Sequence, residues 1–259
     1  MASWSPEQYN RFRRERMQPF EDLVGLIEPR PDMRILDLGC GTGELTAMLA
    51  ERFPGSTALG IDTSPEMLAK AEAHTSQRVA FQRADILTFE GYGDYDLIFS
   101  HAAFQWVPDN EALMQRILTQ MKPGAQLAVQ MPKNDLHISH RLAAEVAQEE
   151  PFSGWLQGFV RHSEALSLER YAEILHAHGM QRMVCSELIY GHEMGSAADV
   201  VEWVKGTLLT AYLGRLSAEQ GERFVSRYKE RLLEALGEQS PYFYAFRRML
   251  LAAMKPAAA

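Results

Sequence analysis

The twelve residues ILDLGCGTGELT (35–46) constrain this chain most. An apolar run leads into alternating glycines, Gly39, Gly41 and Gly43, and then into a helical pattern. Glycine takes positive φ without a Cβ penalty, so the spacing predicts a strand, a tight loop and a helix whose backbone a ligand can approach closely. The rhythm continues outward. Apolar runs predict strands at 33–38, 57–62, 79–85, 95–100 and 126–131, with helices at 44–53, 64–74 and 109–121 between them. Ser64 and Pro65 read as an N-cap and a first helical position. This alternation means an α/β fold with a parallel sheet and helices on both faces. Right-handed crossovers then collect every loop after a strand on one edge, where ligands bind.

The second half changes character. Helices are expected at 137–149, 167–178, 197–213 and 217–236, and strand-like runs at 180–190 and 242–254. The last run reads as strand or helix, its length allowing either. A core at 31–131 is expected to carry an N-terminal lid segment (1–30), with 132–259 completing the core and adding helical substrate cover, all in a single domain.

The ligand follows from the acids around the loop. A dinucleotide fingerprint spaces its glycines G-x-G-x-x-G; here Glu44 stands where the third is wanted. Asp37 precedes the first glycine by two places, and its carboxylate would repel a pyrophosphate. S-adenosylmethionine (SAM) reverses the sign, since it has no phosphate and bears an ammonium and a sulfonium. Asp37 then partners the amino end. Asp62 ends the second strand, with Thr63 beside it, and can accept from both ribose hydroxyls. Asp85 ends the third and can accept from the adenine amino group beside the Ile86 N–H. Met67 is an apolar wall for the base, and Ser100, ending the fourth strand, belongs to the same edge. Each acid alone could merely cap a turn; three ending consecutive strands form a more specific pattern.

Several classes fall away. A formal net charge of −8 opposes a nucleic-acid partner. No apolar run reaches membrane-spanning length, and the N-terminus lacks the apolar core of a signal peptide. Two distant cysteines offer neither a disulfide framework nor a metal-ligand spacing. A cytoplasmic protein without metal is expected, its oligomeric state open.

The motifs LDLGCGTG, GIDTSPEML, ADI and YDLIFSHAAFQWVPD resemble the class I SAM-dependent methyltransferases. Trp4 to Arg16, QWVPD (105–109), LAVQMPKN (127–134), EVA (145–147) and EWV (202–204) are similar, more particularly, to the trans-aconitate 2-methyltransferase family. The resemblance runs to about Met254. It implies a Rossmann-like seven-stranded, mostly parallel sheet with the last strand antiparallel, helical lid insertions, and methylation of a carboxylate on a small organic acid. Family members tend to carry an arginine shortly after the WV; Thr210 stands there, which favours an acid with fewer carboxylates.

Methyl transfer from a sulfonium is an in-line displacement that needs alignment. A carboxylate is already ionised at neutral pH and needs no general base. No catalytic residue is therefore expected, only positioning by His101, Gln105 and Trp106, with His140 as a further hydrogen-bond donor. Arg16 shares a helical face with Phe12 and Tyr9, and its guanidinium can take a carboxylate bidentately. Tyr9, Arg16, Gln105, Trp106 and Trp203 are the substrate-binding candidates. The alternatives are a carrier-bound carboxyl or a hydroxyl acceptor, or a non-catalytic SAM-binding regulator. DNA amino-methylation is disfavoured, since SHAAFQW replaces the N/D-P-P-Y type motif.

Overall fold

The computed structural model describes residues 13–258, with side chains from Met17 onward. In chain order the first elements are α1 (Arg13–Val24), β1 (Arg34–Leu38), α2 (Glu44–Arg52), β2 (Thr57–Asp62) and α3 (Pro65–Ala71). Then come β3 (Val79–Arg83), β4 (Leu97–His101), α4 (Asn110–Gln120) and β5 (Gln126–Pro132). The remainder comprises α5 (Ile138–Gln148), α6 (Phe152–Trp155), α7 (Leu168–Ala177) and β6 (Gln181–Met194), followed by α8 (Asp199–Lys205), α9 (Thr210–Leu213), α10 (Ala218–Leu236) and β7 (Tyr242–Met254).

Seven strands form one sheet in the order β3-β2-β1-β4-β5-β7-β6. The pairs among β1 to β5 are parallel, and β7 runs antiparallel to β5, from Gln126↔Met254 to Pro132↔Arg248. That pairing resolves the ambiguous run at 242–254 as strand. Length alone could not decide it, because the partner strand lies more than a hundred residues earlier in the sequence. Further boundaries differ from expectation. β3 stops at Arg83, so Asp85 lies in the loop after it and does not end the strand. The helix expected at 197–213 breaks at Gly206, which caps α8. β6 runs on to Met194, beyond the 190 expected.

The described residues divide into two compact units. One holds Arg16–Pro132, Glu164–Leu188 and 248–258. Its core lies on both faces of the sheet, because consecutive residues of a strand point to opposite sides. Ile35, Phe99, Ala128 and Leu250 pack under Phe20 and Leu23 of α1 and Leu49 of α2. Leu36, Ile98, Leu127 and Val129 pack under Leu113 and Ile117 of α4 and Tyr171 and Leu175 of α7. Tyr171 donates to Asn110 Oδ1 at 2.8 Å, and Asn110 holds the carbonyls of Phe104 and Val107 at 3.0 and 2.8 Å.

The other unit holds Lys133–Ser163 and Ile189–Arg247. Its core joins Val146 of α5, Val201 and Val204 of α8, and Phe224, Tyr228 and Leu232 of α10. α10 begins with a capping box, Ser217 receiving from the Gln220 N–H while Gln220 Oε1 receives from the Ser217 N–H. No helix among the described residues is long and apolar enough to cross a membrane.

Candidate functional site

The glycine loop leaves β1 at the carboxyl edge of the sheet, where the order turns from β2 on one side to β4 on the other. Its N–H groups at Gly39 and Cys40 both bond the Ile61 carbonyl, at 2.9 and 3.0 Å. Two glycines are required by packing. With φ +78°, a Cβ at Gly39 would stand 2.3 Å from Ala103 Cβ. With φ +77°, one at Gly43 would stand 2.5 Å from the Phe81 ring. Gly41 differs: its φ is +55°, and a Cβ there would meet no protein atom within 4 Å. Its left-handed backbone favours glycine, and with no described atom packed against it the position leaves room for a ligand to approach the loop.

The acids take different parts. Asp62, half-buried at the end of β2, accepts from the Gly41 N–H through Oδ2 and the Ser64 N–H through Oδ1, both at 2.9 Å. It thus holds the loop and the start of α3, and each oxygen keeps a second lone pair. Asp85 is exposed and accepts from the Leu87 N–H at 2.9 Å, a local turn bond. Ile86 beside it is buried, its carbonyl taken by Tyr92 Oη at 2.9 Å and by the Arg116 guanidinium. Met67 is half-buried and its N–H caps onto Ser64 Oγ at 3.2 Å, while Thr63 is exposed.

Asp37 stands apart. It is 2% exposed and accepts from Thr46 Oγ1 of α2. Burial is the largest influence, opposed by that hydroxyl and reinforced by the Asp62 charge, and the carboxyl is pushed up to about 7. Carboxylates desolvated without a cationic partner behave this way. Burial, reinforced by the Asp37 and Asp62 charges, pushes the Cys40 thiol well up, so Cys40 is an inert filler against Gly60.

Across the switch point, Ser100 Oγ is buried and donates to the Leu38 carbonyl at 2.8 Å, tying β4 to β1. His101 ends β4 with Phe20 edge-on at 6.2 Å. Burial and the nearby Arg248 charge pull its imidazole down to about 3, so it is neutral at pH 7. Gln105 is buried and donates to the Ala102 carbonyl at 2.6 Å; Trp106, next to it, is 46% exposed. The first unit therefore gathers Asp37, the glycines, Asp62, Asp85, Ile86, Ser100, His101, Gln105 and Trp106 on the loops and strand ends of one sheet edge.

The other candidates lie elsewhere. Tyr9 falls outside the described residues, and Arg16 is described only as a position in α1. In the second unit, Trp203 is 4% exposed, with its ring 4.9 Å from His192 and 5.6 Å from Phe246. His140 sits beside Ser139 Oγ at 3.1 Å, and burial draws it down to about 4. Thr210 is exposed and bonds its own turn, at the Thr207 carbonyl. Sequence reasoning passed over Thr46, Gln130 and Arg248. The available signal was a polar residue inside an otherwise apolar strand run, as in LAVQMP and RRMLLAAM.

This edge suits a ligand that carries positive charge and no phosphate: a buried carboxyl with no cationic partner among the described residues, two further acids, and an open glycine between them. Comparison with known proteins agrees. Residues 29–179 match the family model described as "Methyltransferase domain". A trans-aconitate 2-methyltransferase of Deinococcus radiodurans is 41% identical over 98% of this chain and 99% of its own length. One from Streptomyces avermitilis is 39% identical over 99% and 98%. Among solved structures, a putative methyltransferase from Bacillus halodurans superposes with a TM-score of 0.59 at 14% identity, covering 92% of this chain and 99% of that one. The fold, the full-length similarity and the matching domain together make this chain a member of the trans-aconitate 2-methyltransferase family.

Proposed function

We propose that this protein transfers a methyl group from SAM to a carboxylate of trans-aconitate, or of a closely related small acid, giving a methyl ester. The observation that carries this reading is Asp37, a buried carboxyl at a strand end with a hydroxyl partner and, among the described residues, no cation beside it. The full-length family membership supplies the acceptor class.

When bound, SAM supplies a sulfonium-activated methyl group that passes to the acceptor oxygen by in-line displacement. The chain's part is alignment and electrostatics. Asp37 pairs with the ammonium of the donor's methionine end, and Asp62 uses its remaining lone pairs for ribose hydroxyls. Asp85, Ile86 and Met67 flank the adenine. Ser100 fixes β4 against β1, and so fixes where His101, Gln105 and Trp106 meet the acceptor. No proton has to be removed, because the acceptor carboxyl is ionised at neutral pH. The neutral His101 matches this: it can donate or accept one hydrogen bond but is not poised as a base.

The test is turnover of labelled SAM with a panel of small acids that includes trans-aconitate and cis-aconitate. Expected is a labelled product released by mild base, as an ester is. SAM binding without turnover of any acid would refute the acceptor class and move the search to carrier-bound carboxyls and hydroxyls.

A further inference from the structure

A second polar group lies on the same sheet edge, further along from Asp37. Partnered residues on neighbouring strands face the same side, and so do residues two apart on one strand. The registers Asp37↔Phe99, His101↔Gln130, Gln130↔Leu250 and Pro132↔Arg248 therefore put Asp37, His101, Gln130 and Arg248 on one face. They step across β1, β4, β5 and β7 toward the carboxyl ends of the parallel strands. Adjacent strands lie about 5 Å apart, so neighbours in this series are within reach of one small ligand.

These side chains are out of keeping with their surroundings. Gln130 is fully buried in an apolar sheet, and among the described residues neither its amide oxygen nor its amide nitrogen has a hydrogen-bond partner. His101 Nε2 is likewise buried without one. Arg248 is 6% exposed, and its charge reaches His101. An amide left unbonded in a core is costly, and an apolar residue of the same shape would serve packing better. Hydrogen-bonding groups beside a buried guanidinium match a carboxylate, which offers about four lone-pair directions to an arginine fork and neighbouring N–H donors.

We infer that Arg248, Gln130 and His101 form a subsite for a non-reacting carboxylate of the acceptor, next to the methyl-donor site that Asp37 marks. The inference rests on the proposed function and extends it. Placing the grip on β4, β5 and β7 gives the acid a fixed orientation from rigid strands.

The test uses Gln130→Met, which keeps length and flexibility and removes both polar atoms. Binding of trans-aconitate to the S-adenosylhomocysteine-loaded protein is measured by calorimetry, together with steady-state KM values and Tm. The subsite predicts about a tenfold or greater loss of trans-aconitate affinity and a matching rise in its KM, with SAM affinity unchanged. Tm should hold or rise, since an unsatisfied buried amide is gone. A purely structural Gln130 would instead leave the KM of trans-aconitate untouched, which overturns the inference while the proposed function stands. Arg248→Lys keeps the charge but removes the fork, and should raise the same KM without altering SAM binding. Wild-type protein that neither binds nor turns over trans-aconitate would sink the proposed function, and the subsite with it.

Discussion

Replacing Asp37 by asparagine separates the electrostatic argument from mere loop geometry. In the ligand-free protein the carboxyl is pushed up to about 7, chiefly by burial. Its proton is therefore half bound at pH 7, and pairing with the ammonium of SAM must expel it. From that value, linkage makes SAM binding about fivefold weaker at pH 6 than at pH 7, with about half a proton released per SAM bound at pH 7. His101 and His140 do not interfere, since burial holds them at about 3 and about 4. The amino group of SAM changes little below pH 7. Asp37→Asn should bind SAM more weakly at pH 7 and lose the pH 6–7 dependence. Stability moves the other way. An acid whose folded value lies above its ordinary one holds its proton more tightly when folded. Stability is then lost as pH rises from about 4 through about 7, on the order of 4 kcal/mol for this shift. The variant should accordingly melt higher than wild type at pH 8, with the gap closing toward pH 4. Calorimetric titration in buffers of different ionisation enthalpy, with thermal melts across pH, checks both. A wild-type SAM affinity that is flat between pH 6 and 7, with no proton release, would refute the reasoning.

The loop glycines should separate in their effects. Gly41→Ala should fold with a strain cost of about 1–2 kcal/mol, because its methyl group meets no described protein atom within 4 Å, and should bind SAM poorly, because that methyl group would stand where the ligand approaches the loop. Gly39→Ala should fail to fold stably, colliding with Ala103; denaturant melts and SAM titration compare the two. Tyr171→Phe removes the bond to Asn110 Oδ1 and should cost about 1–3 kcal/mol, read from urea unfolding, because a buried acceptor is stranded. Trp203→Ala should destabilise by about 3–5 kcal/mol, as truncation of a buried aromatic does. Partial proteolysis should then show early cleavage among residues 189–247.

The alternating half of the chain was legible because its signals are local. A strand covered on both faces reads as an apolar run, and Ser64 with Pro65 announces α3 whatever surrounds it. The glycine spacing identified the loop, and the acids at the ends of β1 and β2 and just after β3 pointed to a ligand without phosphate. The sequence could not say which acid differs from the rest. Asp62 and Asp85 both make local turn bonds of their own, as any such acid can. Only the burial of Asp37 beneath α2 makes it a charge in search of a partner. Tertiary structure also decided that 242–254 is a strand, through its pairing with a strand more than a hundred residues away. It alone brought Arg248 to the end of β5, near Gln130 and His101. Local sequence carries backbone preference and hydrophobic period; desolvation and long-range pairing arise when distant segments meet, and these set the charge state and neighbours of the site.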